Sequence, residues 1–174
     1  MSDERVMLPE DWNRLSPILV VLVGLPGSGK STIRHTLFDN FAHISSDDYI
    51  DACAEKAGLT YNAVFDTVVK DATRYMHTTF RRGQDSGADI VWDQTNLSAK
   101  KRRSILRDVN PDYYKIAVYV EIDEKLRQDR CAARLGKIIP SHIDASMRES
   151  YTRPHVSEGF DRVLNGHTLW RATP

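Results

Sequence analysis

Ile18-Leu19-Val20-Val21-Leu22-Val23 is an unbroken apolar run with no polar position to face solvent. Such a run predicts a strand covered on both faces. A glycine-rich turn follows at once, then an expected helix over residues 30–41. Farther on, Val64, Val68, Ala72 and Met76 recur at four-residue intervals, the spacing of a helical stripe that faces a core. The pattern continues with strands at 42–44, 90–92 and 114–122 and a short last strand at 168–170. Between them it predicts helices at 48–56, 99–109, 124–135 and 143–151. Residues 1–16 are polar apart from Val6, Leu8, Trp12 and Leu15, and are expected to lie along the surface as an N-terminal extension.

Strands alternating with helices predict an α/β domain over residues 1–174, with a parallel sheet covered on both sides. Ligands of such sheets sit beyond the carboxyl ends of the strands. Three polar clusters fall there, after the first, second and third strands. The first is Gly24-Leu25-Pro26-Gly27-Ser28-Gly29-Lys30-Ser31, with Thr32 next. Small residues let successive backbone N–H groups turn around a phosphate at the positive end of the following helix. Lys30 then neutralises the outer phosphates, and the Ser31 hydroxyl is suited to magnesium. Gly24, Pro26, Gly27, Ser28, Gly29, Lys30, Ser31 and Thr32 are therefore the expected nucleotide-binding residues, with ATP as phosphate donor and Mg2+ as its ion. The fold class that follows is a three-layer P-loop NTPase type with a small helical lid, the lid and its following helix falling at about 124–151.

The second cluster, Ser45-Ser46-Asp47-Asp48, puts a carboxylate where an acceptor hydroxyl would lose its proton. Asp47 is the expected base and Asp48 the expected helix cap. The third, Asp93-Gln94-Thr95-Asn96, has an acid at the usual position for the magnesium shell. Asn96 reads equally well as a turn former or a cap. Arg130 and Arg134 lie four apart and are expected on one helix face, where a lid could bring them to the charge developing in phosphoryl transfer. Lys100-Lys101-Arg102-Arg103 reads first as a solvated helix face and second as a contact for a polynucleotide backbone.

Composition narrows the partners. Lys and Arg number 24, as do Asp and Glu, so the net charge is zero and a polyanion would have to be held by a local patch. The two cysteines, Cys53 and Cys131, have no metal-ligand spacing and are expected as free thiols. No apolar run approaches the roughly 20 residues of a membrane span. The acidic start Met1-Ser2-Asp3-Glu4 lacks the order of a secretory signal, so a cytoplasmic location is expected.

With these clusters in place, residues 19–163 resemble the kinase domain of 5′-hydroxyl polynucleotide kinases, including phage enzymes and polynucleotide kinase–phosphatases. The order of P-loop, Asp47-Asp48, Asp93-x-Thr-Asn and paired arginines carries the likeness. So do Ile139-Pro140, Met147-Arg148, Arg153-Pro154 and Glu158-Gly159-Phe160-Asp161. The resemblance implies Asp47 as general base on a 5′-hydroxyl, Arg130 and Arg134 on the donor phosphates, and a supporting role for Asp93. It also implies a nucleic-acid substrate, DNA ahead of RNA. One departure is Ile50, where some phage members carry an arginine that contacts the acceptor phosphate. Three rival readings stand beside it: a phage-type kinase of a 5-hydroxymethyl pyrimidine in DNA, a nucleoside or sugar kinase, and a nucleotide-binding module without transfer.

Overall fold

The computed structural model describes Trp12, Leu15 and residues 17–172. Its order is β1 (Ile18–Val23), α1 (Lys30–Leu37), β2 (Ala42–Ile44), α2 (Asp47–Ala57), α3 (Tyr61–Asp85) and β3 (Ile90–Asp93). Then come α4 (Ala99–Arg107), β4 (Tyr114–Tyr119), α5 (Glu124–Ala132), α6 (Ser141–Ser150), a 3-10 turn (Val156–Glu158), β5 (Arg162–Asn165) and α7 (Gly166–Ala172). The five strands form one sheet in the order β2-β3-β1-β4-β5, and every pairing is parallel.

The apolar run of β1 lies at the centre, between β3 and β4, with all six residues buried. Alternate residues serve opposite faces, as the two-residue period requires. Leu19, Val21 and Val23 pack with Met76 and Phe80 of α3 and Ile105 of α4. Ile18, Val20 and Leu22 pack with Ile33 of α1 and Leu169 of α7. A third, smaller core joins Ile50 and Ala54 of α2 to Val64 and Ala72 of α3. The expected stripe of α3 is therefore shared between two cores, and the α2–α3 hairpin projects from the β2 edge of the sheet.

Four expectations need correction. Residues 168–170 are helical, within α7, and the last strand is β5. The Asn165 side chain accepts from the N–H groups of His167 and Thr168, which starts a helix at that point. As an edge strand with no fully buried residue, β5 shows no apolar run to mark it. Trp12 is buried rather than superficial, stacked on Phe38 at 5.4 Å between ring centroids; Val6 and Leu8 lie outside the described residues. The helix expected over 124–135 stops at Ala132, so Arg134 sits in the turn beyond it and shares no helix face with Arg130. Finally, Arg102 is fully buried within the supposed solvated run. Its guanidinium donates to Glu158 through two bonds of 2.7 Å and to the carbonyls of Asn96, Leu97 and Thr152. That clamp ties α4 and the end of the β3 loop to the segment after α6.

Candidate active site

The P-loop bridges the carboxyl end of β1 and the start of α1. Gly27 and Gly29 have φ of 81° and 106°, a region glycine enters without strain. At Gly24 a Cβ would lie 2.7 Å from the Val120 carbonyl oxygen. The loop therefore follows the sheet too closely for any side chain there. No side chain caps α1 and its first turn carries no acid, which leaves a positive helix end facing the loop. Lys30 is nearly enclosed, and its Nζ donates to the carbonyls of Gly24 and Leu25 at 2.7 and 3.0 Å. Burial pushes its ammonium down to about 8, and Arg134 pushes the same way, against the pull of Asp93 and Asp47. Asp93, Asp47 and Arg134 thus each lie within electrostatic reach of Lys30. Ser31 and Thr32 are exposed on the first turn of α1.

Helix α5 rests on the loop. A Cβ at Gly27 would meet Cys131 Sγ at 2.8 Å and the Arg127 carbonyl oxygen at 2.9 Å. Arg127 donates to the Pro26 carbonyl at 3.2 Å, while its guanidinium also binds Glu124 and Asp144 through paired bonds of 2.7–2.8 Å. Those partners hold Arg127 well above the ordinary range, and Arg127 in turn holds the Glu124 carboxyl down to about 2. Arg130 reaches the Gly27 carbonyl at 3.5 Å. Arg130 therefore touches the P-loop, whereas Arg134 is exposed beyond α5 and is one of the charges that lower Lys30.

At the end of β2 the two aspartates diverge. Asp47 accepts from Tyr61 Oη on one oxygen and from Lys137 Nζ on the other, each at 2.9 Å. Burial and the Asp47 carboxylate push the Tyr61 phenol upward, so it stays a proton donor. Asp48 is not the cap: Ser46 holds that position, and Asp48 turns to His43 Nδ1 at 2.7 Å and Arg34 at 3.3 Å. The His43 imidazole holds the Asp48 carboxyl below its usual value. Burial opposes the charged imidazole, but the contacts with Asp48 and Asp93 outweigh it and raise His43. Asp93 completes the group, 3.7 Å from Arg34 Nε and 3.6 Å from His43 Nε2.

Asn96 has φ of 48° and is buried, its Nδ2 donating to the Leu22 carbonyl at 2.7 Å. It ties the β3 loop to the end of β1, and Ser98 is the cap of α4 instead. Ile50, the position of the missing acceptor arginine, is buried in the hairpin core.

A parallel sheet with the buried lysine, the uncapped helix and α5 packed on the loop defines a P-loop nucleotide-binding protein. The profile of the AAA domain family matches residues 19–154, and the chain belongs to that family. It is 23% identical over 150 residues to an L-seryl-tRNA(Sec) kinase of Methanococcus maripaludis, across 83% of this chain and 56% of that protein. The chain therefore spans little more than half the length of this curated relative. A sugar kinase from Janibacter sp. HTCC2649 superposes with a TM-score of 0.59 at 18% identity, over 89% of this chain and 91% of that one. A chain of the Pnkp1/Rnl/Hen1 RNA repair complex gives 0.57 at 19% identity, over 91% and 47%. At these identities both structures speak for the fold alone.

Five residues at the site fell outside the sequence motifs. Arg127 lies three before Arg130, a helical spacing that could have placed it beside the loop. Tyr61, Lys137 and the Arg34–His43 contact belong to no motif: Lys137 reaches Asp47 across 90 residues, Tyr61 across 14, and Arg34 meets His43 only through the packing of α1 beside β2.

Proposed function

We propose that the chain is an ATP-dependent kinase of a nucleic-acid hydroxyl, with the 5′ end of a polynucleotide as the favoured acceptor. The observation that carries this reading is Asp47, an exposed carboxylate at the end of β2 within the electrostatic field of the P-loop lysine. A nucleotide switch needs no hydroxyl base at that place. In the step, the acceptor hydroxyl gives its proton to Asp47 and its oxygen forms the bond to the γ-phosphorus. The bond to the bridging oxygen breaks, and its electron pair leaves with ADP. Lys30, Arg130 and Arg134 stabilise the charge on the moving group.

Magnesium, when bound, neutralises charge across the β- and γ-phosphates. Among the described residues no group of three or more His, Cys, Asp or Glu could hold a metal. That suits magnesium, which keeps waters and phosphate oxygens as ligands beside one or two protein groups. Ser31 would hold it directly, and Asp93, already flanked by Arg34 and His43, would act on its water shell.

The tRNA kinase relative favours a nucleic-acid acceptor. A small-molecule acceptor is the second reading. It is favoured by Ile50 and Arg102, two candidate phosphate-contact positions that are buried in the core or in a clamp. The test is transfer of labelled γ-phosphate from ATP to four acceptors: a 5′-hydroxyl oligonucleotide as DNA and as RNA, the same oligonucleotide 5′-phosphorylated, DNA containing hydroxymethyluracil, and mixed nucleosides and sugars. The favoured reading expects label on the 5′-hydroxyl oligonucleotide, with a KM that rises steeply with salt. Label confined to nucleosides or sugars, with no salt dependence, would replace it with the second reading.

A further inference from the structure

Lys137 lies in the segment 133–140 between α5 and α6, far in sequence from the residues it touches. Its Nζ is 2.9 Å from Asp47, 3.6 Å from Asp51 and 3.8 Å from the Tyr61 ring centroid. The segment is fixed on both sides of this lysine by one residue of α3. The Asn62 N–H donates to the Gly136 carbonyl at 3.2 Å. The Asn62 side chain donates to the Ile138 carbonyl and accepts from the Ile138 N–H, both at 2.9 Å. Gly136, with φ of 72°, lies so close to Thr60 that a Cβ would meet it at 2.9 Å. Burial does not explain the docking, because Leu135 is 99% and Ile138 71% exposed. A polar clamp holds the segment down, and what it delivers is an ammonium against the carboxylate.

We infer that Lys137 is a positioning residue for the base: docking of the lid segment sets the Asp47 carboxylate in place for the acceptor hydroxyl. The inference rests on the kinase reading above. Lys137 holds one oxygen of Asp47, and Tyr61 marks the side of the other. In the reacting complex the acceptor hydroxyl takes the place of the Tyr61 hydroxyl on that second oxygen. A carboxylate on an exposed helix start is otherwise free to rotate, and misplacement of a catalytic group by about 1 Å can cost about a hundredfold in rate. Because the lysine is supplied by the segment that follows the lid helix, proton removal is tied to the lid's position over the donor.

The test uses the acceptor that the wild-type protein labels best in the panel above. Lys137→Met is expected to lower kcat by about 10- to 100-fold, with acceptor KM and ATP affinity within threefold of wild type. Lys137→Arg should recover part of the loss. In an Asp47→Asn background Lys137→Met should add nothing, because two residues acting as one unit are not additive. Asn62→Ala should lower kcat in the wild type but not beside Lys137→Met, and thermal unfolding checks that each variant is folded. Losses that add to those of Asp47→Asn would overturn the inference, as would a raised acceptor KM with kcat intact or a Lys137→Met enzyme equal to wild type. A wild-type protein that labels none of the acceptors sinks the kinase reading, and this inference with it.

Discussion

Around the P-loop the polar groups are enclosed: Ser28, Lys30 and Arg127 are 2%, 8% and 2% exposed. Across the cleft the Asp47 side chain is 53% exposed, and its partners come from a helix start and a loop. On the proposed reading, the phosphate-donor side is built from backbone geometry and buried charge beside the central strand. The acceptor side is then built from surface side chains on α2 and α3. A triphosphate has one shape, so a rigid cradle close to β1 suits it. Hydroxyl acceptors vary, and a hairpin with its own small core can change its surface without disturbing the sheet.

Lys30→Ala strikes the enclosed side where its charge matters most. Transfer should fall by roughly 1,000-fold or more for every acceptor, since fixed charge at the transferring group is usually the largest single contribution. Measured initial rates above a tenth of wild type would mean that the cradle is not the donor site. Asp47→Asn strikes the open side. Here kcat should fall roughly 100-fold with ATP binding nearly unchanged. If Asp48→Asn proved the damaging change instead, the base would be the residue now paired with His43.

Gly27→Ala probes the seam between lid and loop. A Cβ at positive φ, driven against Cys131 and the Arg127 carbonyl, costs about 1–3 kcal/mol in such strained positions. ATP affinity should drop about tenfold, read by calorimetry, while a nucleotide-free acceptor complex should be unaffected. Equal damage to both would erase the division between the two sides.

The smallest effect is a proton. Lys30 is held at about 8 by burial, so near pH 8 roughly half of it is uncharged in the free protein. Phosphate oxygens favour the charged form and raise its pKa, so ATP binding takes up a proton. The uptake should be about half a proton at pH 8 and near zero at pH 6, measured from binding enthalpies in buffers of different ionisation heat. Proton release at pH 8 would contradict the depressed lysine.

Local chemistry was legible in the chain. The run at Ile18–Val23, the glycine spacing and the lysine form one continuous segment, so sequence alone determines a strand, a phosphate loop and a helix in order. The position of Asp47, separated from the end of β2 by Ser45 and Ser46, was legible from the strand pattern as well. The pairing of distant segments was not. Arg102 looks like its solvated neighbours Lys101 and Arg103, and only the approach of Glu158, 56 residues on, makes it a buried clamp. Thr168-Leu169-Trp170 suits strand or helix, and the Asn165 side chain decided for helix. Lys137 meets Asp47 across 90 residues through a loop held by Asn62. The amino-acid sequence by itself determined the phosphate cradle, because backbone geometry there follows from adjacent residues. Only the tertiary structure decided how Lys137 and Asp47 meet, because that contact depends on Asn62 of α3 holding the segment after α5.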